Sequence, residues 1–263
     1  MPQLAEINAP ASWRTVDFIS DLHLQASEPA TVGAWQHYLQ HTPADAVFIL
    51  GDLFEVWVGD DAVNVSATDS QPPFEAWCAD VMQLAAQRLA LFFMHGNRDF
   101  LVGDALMARC HAQLLHDPCT LAFAGQRWLL SHGDALCLND EPYQQFRRVV
   151  RSAPWQADFL AKPLAERQAM ARHMRQQSEA SKQTTPSFAD ADTALSRQWL
   201  HETNAHTLIH GHTHQPADHV LGPAETRVVL SDWDTSATPP RAQVLRLTAS
   251  GLQRIDLLAP APV

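Results

Sequence analysis

Five short apolar runs in this chain break off into acid, amide or imidazole side chains: "FISDLH", "FILGDLFE", "FFMHGNRD", "LLSHGD" and "LIHGHTH". Their length and their β-branched and aromatic content read as strands. Ligands of open α/β sheets collect outside the carboxyl ends of strands. Five strands that each end in ligating groups therefore have to end at one shared edge. The groups delivered there are Asp21 and His23, Asp52, Asn97 with Arg98 and Asp99, His132, and His212 with His214. Gly51, Gly96, Gly133 and Gly211 stand beside four of these blocks and permit tight turns and close backbone approach. The last block carries histidines at 210, 212 and 214. Alternate residues of a strand face one side, so this spacing aims imidazoles at one point, where a metal ion is the usual occupant. Each block alone has an ordinary explanation as a turn, a capped strand end or a loop. All five in order, each after an apolar run, do not. Carboxylate, amide oxygen and imidazole without thiolate suit Mn²⁺ or a similar octahedral ion better than structural zinc.

Between these runs lie segments of helical pattern, "ATVGAWQHYLQ" and residues 73–88 among them. "LAFAGQRWLL" reads as a hairpin turned at "AG", and "TRVVLSDW" and "AQVLRLTASGLQRIDL" read as closing antiparallel strands. The class is α/β with a mixed, layered sheet. From Glu141 to about Asn204 the pattern is helical without a strand, punctuated by Pro154 and Pro163. Residues 141–182 hold eight of the 18 basic residues against four acids, so this stretch is net positive in a chain of net charge −11. The shift marks residues 141–204 as a helical insertion into a core formed by 1–140 and 205–263.

With 263 residues, one domain with an insertion is as consistent as two domains. The net charge of −11 argues against a general nucleic-acid binder but not against a phosphorylated substrate, since bound cations can supply positive charge. Cys78, Cys110, Cys119 and Cys137 form no CxxC pair and read as reduced, buried thiols. The first residues lack the basic and apolar regions of a signal peptide, and no apolar run approaches the ~20 residues of a membrane span. Inside the insertion, Trp155, Phe159, Leu160, Leu164, Met170 and Met174 are interleaved with Arg147, Arg148, Arg151, Lys162, Arg167, Arg172 and Arg175. Such helices either lie on an anionic bilayer or pack their apolar side inward.

"DLH", "GDLFE", "GNRD", "HGD" and "GHTH" resemble the five blocks of the calcineurin-like metallophosphoesterases. The longer words "FISDLHL", "ILGDLFEVWVGDD", "HGNRDFLVG", "LSHGDALCLND" and "LIHGHTHQP" resemble the branch of that superfamily formed by the UDP-2,3-diacylglucosamine pyrophosphatases of lipid A biosynthesis. The likeness spans nearly the whole chain, insertion included, and is weaker in "VNVSATDSQPPFE" and the C-terminal tail. It implies a metallophosphoesterase β-sandwich of mixed sheets flanked by helices, with an inserted helical cap for the lipid. It implies two Mn²⁺ per chain: Asp21, His23 and His214 on the first, Asn97, His132 and His212 on the second, Asp52 bridging. His210 is then left as a supporting or structural residue. The implied reaction is hydroxide attack on the α-phosphorus of UDP-2,3-diacylglucosamine, giving UMP and 2,3-diacylglucosamine 1-phosphate (lipid X).

Many superfamily members have a histidine where this chain has Arg98. Arginine stays protonated and is a poor proton donor, which disfavours an alkoxide leaving group and suits a phosphate one. Arg98 would grip phosphate oxygens with its planar fork, the alternative being a structural pair with Asp99. The resemblance places Asp140, Ser178 and Lys182, along with Asn97, Arg98 and His212, at the substrate. The alternative for Ser178 and Lys182 is a solvated helix face. It further implies a peripheral protein at the cytoplasmic face of the inner membrane, with no nucleic acid and no obligate protein partner. Two other readings compete. A phosphoesterase for soluble phosphodiesters or nucleotides would share every ligand and differ in the cap. A non-catalytic scaffold of the same fold would be expected to lack a ligand, whereas all seven are present.

Overall fold

A computed structural model describes residues 4–64, 73–184 and 190–259, the side chains of 175–184 excepted. In chain order the elements are β1 (Glu6–Asn8), β2 (Thr15–Ile19), α1 (Pro29–His41), β3 (Ala46–Leu50), α2 (Phe74–Ala86), β4 (Ala90–Met94), α3 (Asp104–Cys110), β5 (Ala112–Leu115), β6 (Cys119–Phe123) and β7 (Gln126–Leu130). There follow α4 (Glu141–Val150), α5 (Ala153–Leu160), α6 (Leu164–Thr184), α7 (Thr193–Thr203), β8 (Thr207–His210), β9 (Asp218–Gly222), β10 (Glu225–Val229), β11 (Gln243–Thr248) and β12 (Gly251–Asp256).

The strands form two six-stranded mixed sheets, ordered β12-β11-β2-β3-β4-β5 and β1-β6-β7-β8-β10-β9. The side-chain alternation of a strand explains the layering. Ala46, Phe48 and Leu50 of β3 face the second sheet, with Leu121, Leu130, Ile209 and Val228 in the same buried cluster. Val47 and Ile49 face the other way, into a cluster with Trp35, Leu39, Met82 and Leu106 from the helices. β3 is covered on both sides, which is why it reads as an unbroken apolar run.

Against the outer face of the second sheet, Leu129 and Leu208 pack on Trp199 and Leu200 of α7. The "AG" hairpin is as read: β6 pairs antiparallel with β7, and Ala124 and Gly125 both have positive φ (51° and 74°), as a primed two-residue turn requires. β10 differs from expectation. The "TRVVL" strand runs parallel to β8 and is antiparallel only to the edge strand β9. β9, with a burial pattern too weak to show as a period, was not legible in the sequence, nor were the short strands β1 and β5. All four cysteines are buried free thiols.

The helical segment divides in two. α7 covers the second sheet, whereas α5 and α6 lie against the helical side of the first. There Phe159 and Ala171 are buried, with Trp155, Leu164, Met170 and Met174 packed around them. Of the six apolar residues noted in the sequence, only Leu160 is exposed, at 43%. The guanidinium of Arg167, itself buried, bonds the Val58 carbonyl and the Asp61 carboxylate, docking α6 onto the "VGDD" turn. Among the described residues no helix is long and apolar enough to cross a membrane.

Candidate metal centre

β2, β3 and β4 are parallel neighbours in one sheet, and β7 and β8 are parallel neighbours in the other. Their carboxyl ends meet. Asp21 follows β2, Asp52 follows β3, Asn97 and Arg98 follow β4, His132 follows β7, and His212 and His214 follow β8. The loops are bonded across the sandwich: His212 N donates to the Asp21 carboxylate (2.9 Å), and Gly211 N donates to the His132 carbonyl (2.9 Å). Asp21, His23, Asp52, His212 and His214 all have left-handed backbone, with φ between 49° and 68°. Such residues cost roughly 1–3 kcal/mol each and cluster where function demands a particular side-chain direction. This corrects the strand argument for the histidines. β8 stops at His210, so His212 and His214 are aimed by left-handed loop backbone and not by strand alternation.

Two groups result, sharing one atom. His214 Nε2 lies 3.3 Å from Asp21 Oδ1 and 3.4 Å from His23 Nε2. Asn97 Oδ1 lies 3.1 Å from His132 Nε2 and 2.8 Å from His212 Nδ1. Asp52 Oδ2 stands between them, 3.9 Å from His23 Nε2 and 3.8 Å from His132 Nε2. Asp21, His23 and His214, and likewise Asp21, Asp52 and His132, hold their donor atoms within 4.8 Å of one another.

The chemistry of these contacts fits cations. His132 Nδ1 faces the Leu50 carbonyl at 2.9 Å, and His23 Nδ1 faces Glu55 Oε2 at 2.9 Å. Both partners only accept, so in each neutral ring the hydrogen sits on Nδ1 and the Nε2 lone pair points inward, as in metal-ligating histidines held by an outer acceptor. The lone pairs of a neutral His132, of Asn97 and of Asp52 would converge on one point, as cation ligands do; without a cation the surrounding carboxylates favour the protonated ring instead. Burial by itself would lower the pKa of His132, but the charges of Asp52, Asp21 and Asp134 outweigh it and push it up to about 9. For Asp21, burial is outweighed by His214, His132 and His23, which hold it well below the usual carboxylate range. His212 is pulled down to about 3, by burial first and then by the His132 charge.

Glycine is required by close approach at two points. A Cβ on Gly96 would overlap the Asp52 carboxylate, and one on Gly211 would overlap that of Asp21. Asp99, read as a possible partner of Arg98, has another role. Its buried carboxylate accepts from the backbone N–H groups of Gly96 (2.8 Å), Leu53 (2.8 Å), Asp52 (3.3 Å) and Phe54 (3.4 Å), locking the "GDLF" and "GNRD" turns together. Arg98 instead approaches Glu55 (3.4 Å), with its side chain 21% exposed, while its N–H donates to Asp52 Oδ1 (2.8 Å).

Glu55 closes "GDLFE" and Asp134 closes "HGD", and the sequence predicts no role for either. Both orient ligand candidates, and only their being two or three residues from one hinted at it. Asp140 is exposed and caps α4 by accepting from Tyr143 N (3.1 Å). Ser178 and Lys182 fall on α6, and their side chains lie outside the described residues.

His210 is fully buried with Nδ1 2.8 Å from the Gly211 carbonyl, beneath the Gly133 turn. Burial holds it down to about 4, so it is neutral in the fold. A histidine whose folded pKa lies below its unfolded value near 6.5 gives full stability above about pH 6.5 and loses it as pH falls toward 4. Between pH 7 and pH 4 the parent should therefore lose about 3 kcal/mol more, in urea unfolding, than His210→Gln. Metal content after gel filtration should stay high in His210→Gln and collapse in His212→Gln and His214→Gln. The reverse order would overturn the placement of these rings.

The model of the calcineurin-like phosphoesterase family matches residues 14–216, the stretch that contains all five blocks. The chain belongs to the calcineurin-like phosphoesterases. Within that family it is 48% identical over 251 residues to the UDP-2,3-diacylglucosamine hydrolase of Chromobacterium violaceum, covering 92% of this chain and 98% of the relative. It is 42% identical to the enzyme of that name from Bordetella pertussis, covering 91% of this chain and 93% of the relative. It is 43% identical to that from Aeromonas hydrophila, covering 82% and 89%.

Proposed function

We propose that this phosphoesterase hydrolyses the pyrophosphate bond of UDP-2,3-diacylglucosamine, releasing UMP and 2,3-diacylglucosamine 1-phosphate, with two Mn²⁺ per chain. The observation that carries the two-cation reading is Asp52 Oδ2 standing between His23 and His132. The substrate reading rests on the relatives' names and on Arg98. Asp21, His23 and His214 would hold one ion, Asn97, His132 and His212 the other, with Asp52 shared. A bound pair of such ions activates water and neutralises phosphoryl charge in an in-line displacement.

The chain's own residues set the rest. The acceptors behind His23 and His132 keep both rings in the ligating tautomer. A hydroxide oxygen, the proton of its parent water released to solvent, bonds to the α-phosphorus as the bond to the bridging oxygen breaks, and the electron pair leaves with the sugar phosphate. That group needs no proton at departure, so Arg98 can serve as a fixed cation on phosphate oxygens. Asp140, exposed at the start of the cap, is assigned to the nucleoside or sugar, and Ser178 and Lys182 to the lipid side of α6. Residues 141–204 are assigned to the cap, with α7 serving the core sheet.

Exposed Leu138, with Phe146 and Val149 on the same helix as exposed Arg148, supports peripheral contact with an anionic bilayer, at the cytoplasmic face of the inner membrane. The deciding experiment follows UMP release from UDP-sugars with and without acyl chains in the presence of Mn²⁺. Preference for unacylated or soluble phosphodiesters would overturn the substrate assignment. Arg98→His should cleave the pyrophosphate more slowly, with any gain confined to phosphomonoesters that need a proton donor. Equal or faster pyrophosphate cleavage would contradict the role given to Arg98.

A further inference from the structure

Helix α4 holds none of the seven ligand candidates, yet its inward face is fastened to the loops that carry three of them. Tyr143 and Arg147 of α4, and Arg151 that caps its carboxyl end, recur every fourth residue and so share that face. All three converge on one oxygen of Asp134: the Tyr143 hydroxyl (2.6 Å), Arg147 Nε (2.8 Å) and Arg151 Nη2 (3.4 Å) donate to Oδ2. Asp134 is fully buried and lies two residues after His132, across the left-handed Gly133 (φ 111°). Arg151 Nη2 also donates to the carbonyl oxygen of Gly96 (2.9 Å), the residue before Asn97. The Tyr143 ring stacks on His212 at 5.8 Å and 30°. One helical face thus touches the His132 turn, the peptide ahead of Asn97 and the His212 ring, which are the three residues of the second ligand group.

We propose that α4 is a positioning element of the second metal site, with Arg151 as its principal residue. This rests on the two-cation reading given above. Arg151 touches no reacting atom. It ties the Gly96 carbonyl to Asp134 through a single nitrogen and so sets Asn97 against His132, which otherwise belong to different sheets. Without it the loop after β4 and the turn after β7 stay joined only through β3, by Asp99 on the "GDLF" amides and by His132 Nδ1 on the Leu50 carbonyl, and the 3.1 Å contact between Asn97 Oδ1 and His132 Nε2 is held less firmly. Seating of the cap and affinity for the second ion are then one property. Outer partners of metal ligands commonly alter affinity by about 10–100-fold.

The test is calorimetric titration of Mn²⁺ into the metal-stripped full-length protein, with circular dichroism to establish folding. The parent should take up two ions. Arg151→Met should bind one with parental affinity and the other at least about tenfold more weakly. Arg151→Lys, which keeps a cationic N–H donor, should bind that second ion more tightly than Arg151→Met. If Arg151→Met does not fold, Tyr143→Phe removes only the hydroxyl bond to Asp134 and should weaken the same ion several-fold. A parent that binds fewer than two ions overturns the two-cation reading itself. A parent that binds two, with folded Arg151→Met or Tyr143→Phe binding both at parental affinity, overturns the positioning role alone. Slower cleavage of the acylated substrate without a change in metal affinity also overturns it, because that outcome assigns α4 to the lipid only.

Discussion

Asp52→Ala is expected to lose turnover by at least ~10³-fold, the scale set by removing a key electrostatic group from an active site. The carboxylate is 2% exposed at the side chain, and its Oδ2 is within 3.9 Å of an imidazole from each ligand group. Its Oδ1 accepts the Arg98 N–H, so the same residue also fixes the "GNRD" turn. In the two-cation reading alanine would remove the anion shared by both ions, and it also removes one of the bonds that hold the loop carrying Asn97. Metal analysis of the variant should show less than two ions per chain. Activity within tenfold of the parent would sink the two-cation assignment.

Replacing residues 145–200 by a Gly/Ser linker is expected to leave a protein that does not fold. On the sequence alone the opposite follows, because no ligand candidate lies in this stretch and an insertion ought to be separable. The structure supplies three reasons against it. Trp199 and Leu200 of α7 cover Leu129 and Leu208, and Phe159 is buried against the helical layer. Each such side chain contributes about 1.5–3 kcal/mol. Removing Arg147 and Arg151 strands Asp134 in the interior, and breaking a buried pair costs about 3–5 kcal/mol. Together these approach the whole stability of a typical domain, about 5–15 kcal/mol.

A narrower excision of 153–184 spares α4 and α7. It should fold with a lowered Tm, retain its metals, and hydrolyse bis-(4-nitrophenyl) phosphate close to the parental rate. Its turnover of the diacylated UDP-sugar should fall by orders of magnitude, because remote binding energy positions the reacting bond. A folded, metal-loaded excision that still cleaves the lipid substrate at the parental rate would show that α5 and α6 are not the lipid site.

The sequence by itself determined which residues meet. Strands buried on both faces are nearly all apolar, so the points where Asp21, Asp52, Asn97, His132 and His212 interrupt them stand out, and parallel strands deliver such interruptions to one edge. The sequence also showed the helical composition of the segment after Asp140. Three things were decided only by the tertiary structure. The side-chain directions come from left-handed backbone at five residues, which local sequence does not specify for Asp or His. The work of Asp99, Glu55 and Asp134 depends on groups distant in the chain, the Leu53 and Phe54 amides, His23, and Arg147 with Arg151. The boundary of the insertion depends on which sheet an amphipathic helix covers. Periodicity shows that Trp199 and Leu200, like Phe159, need a surface to bury against, but the surface itself exists only once the two sheets have closed on each other.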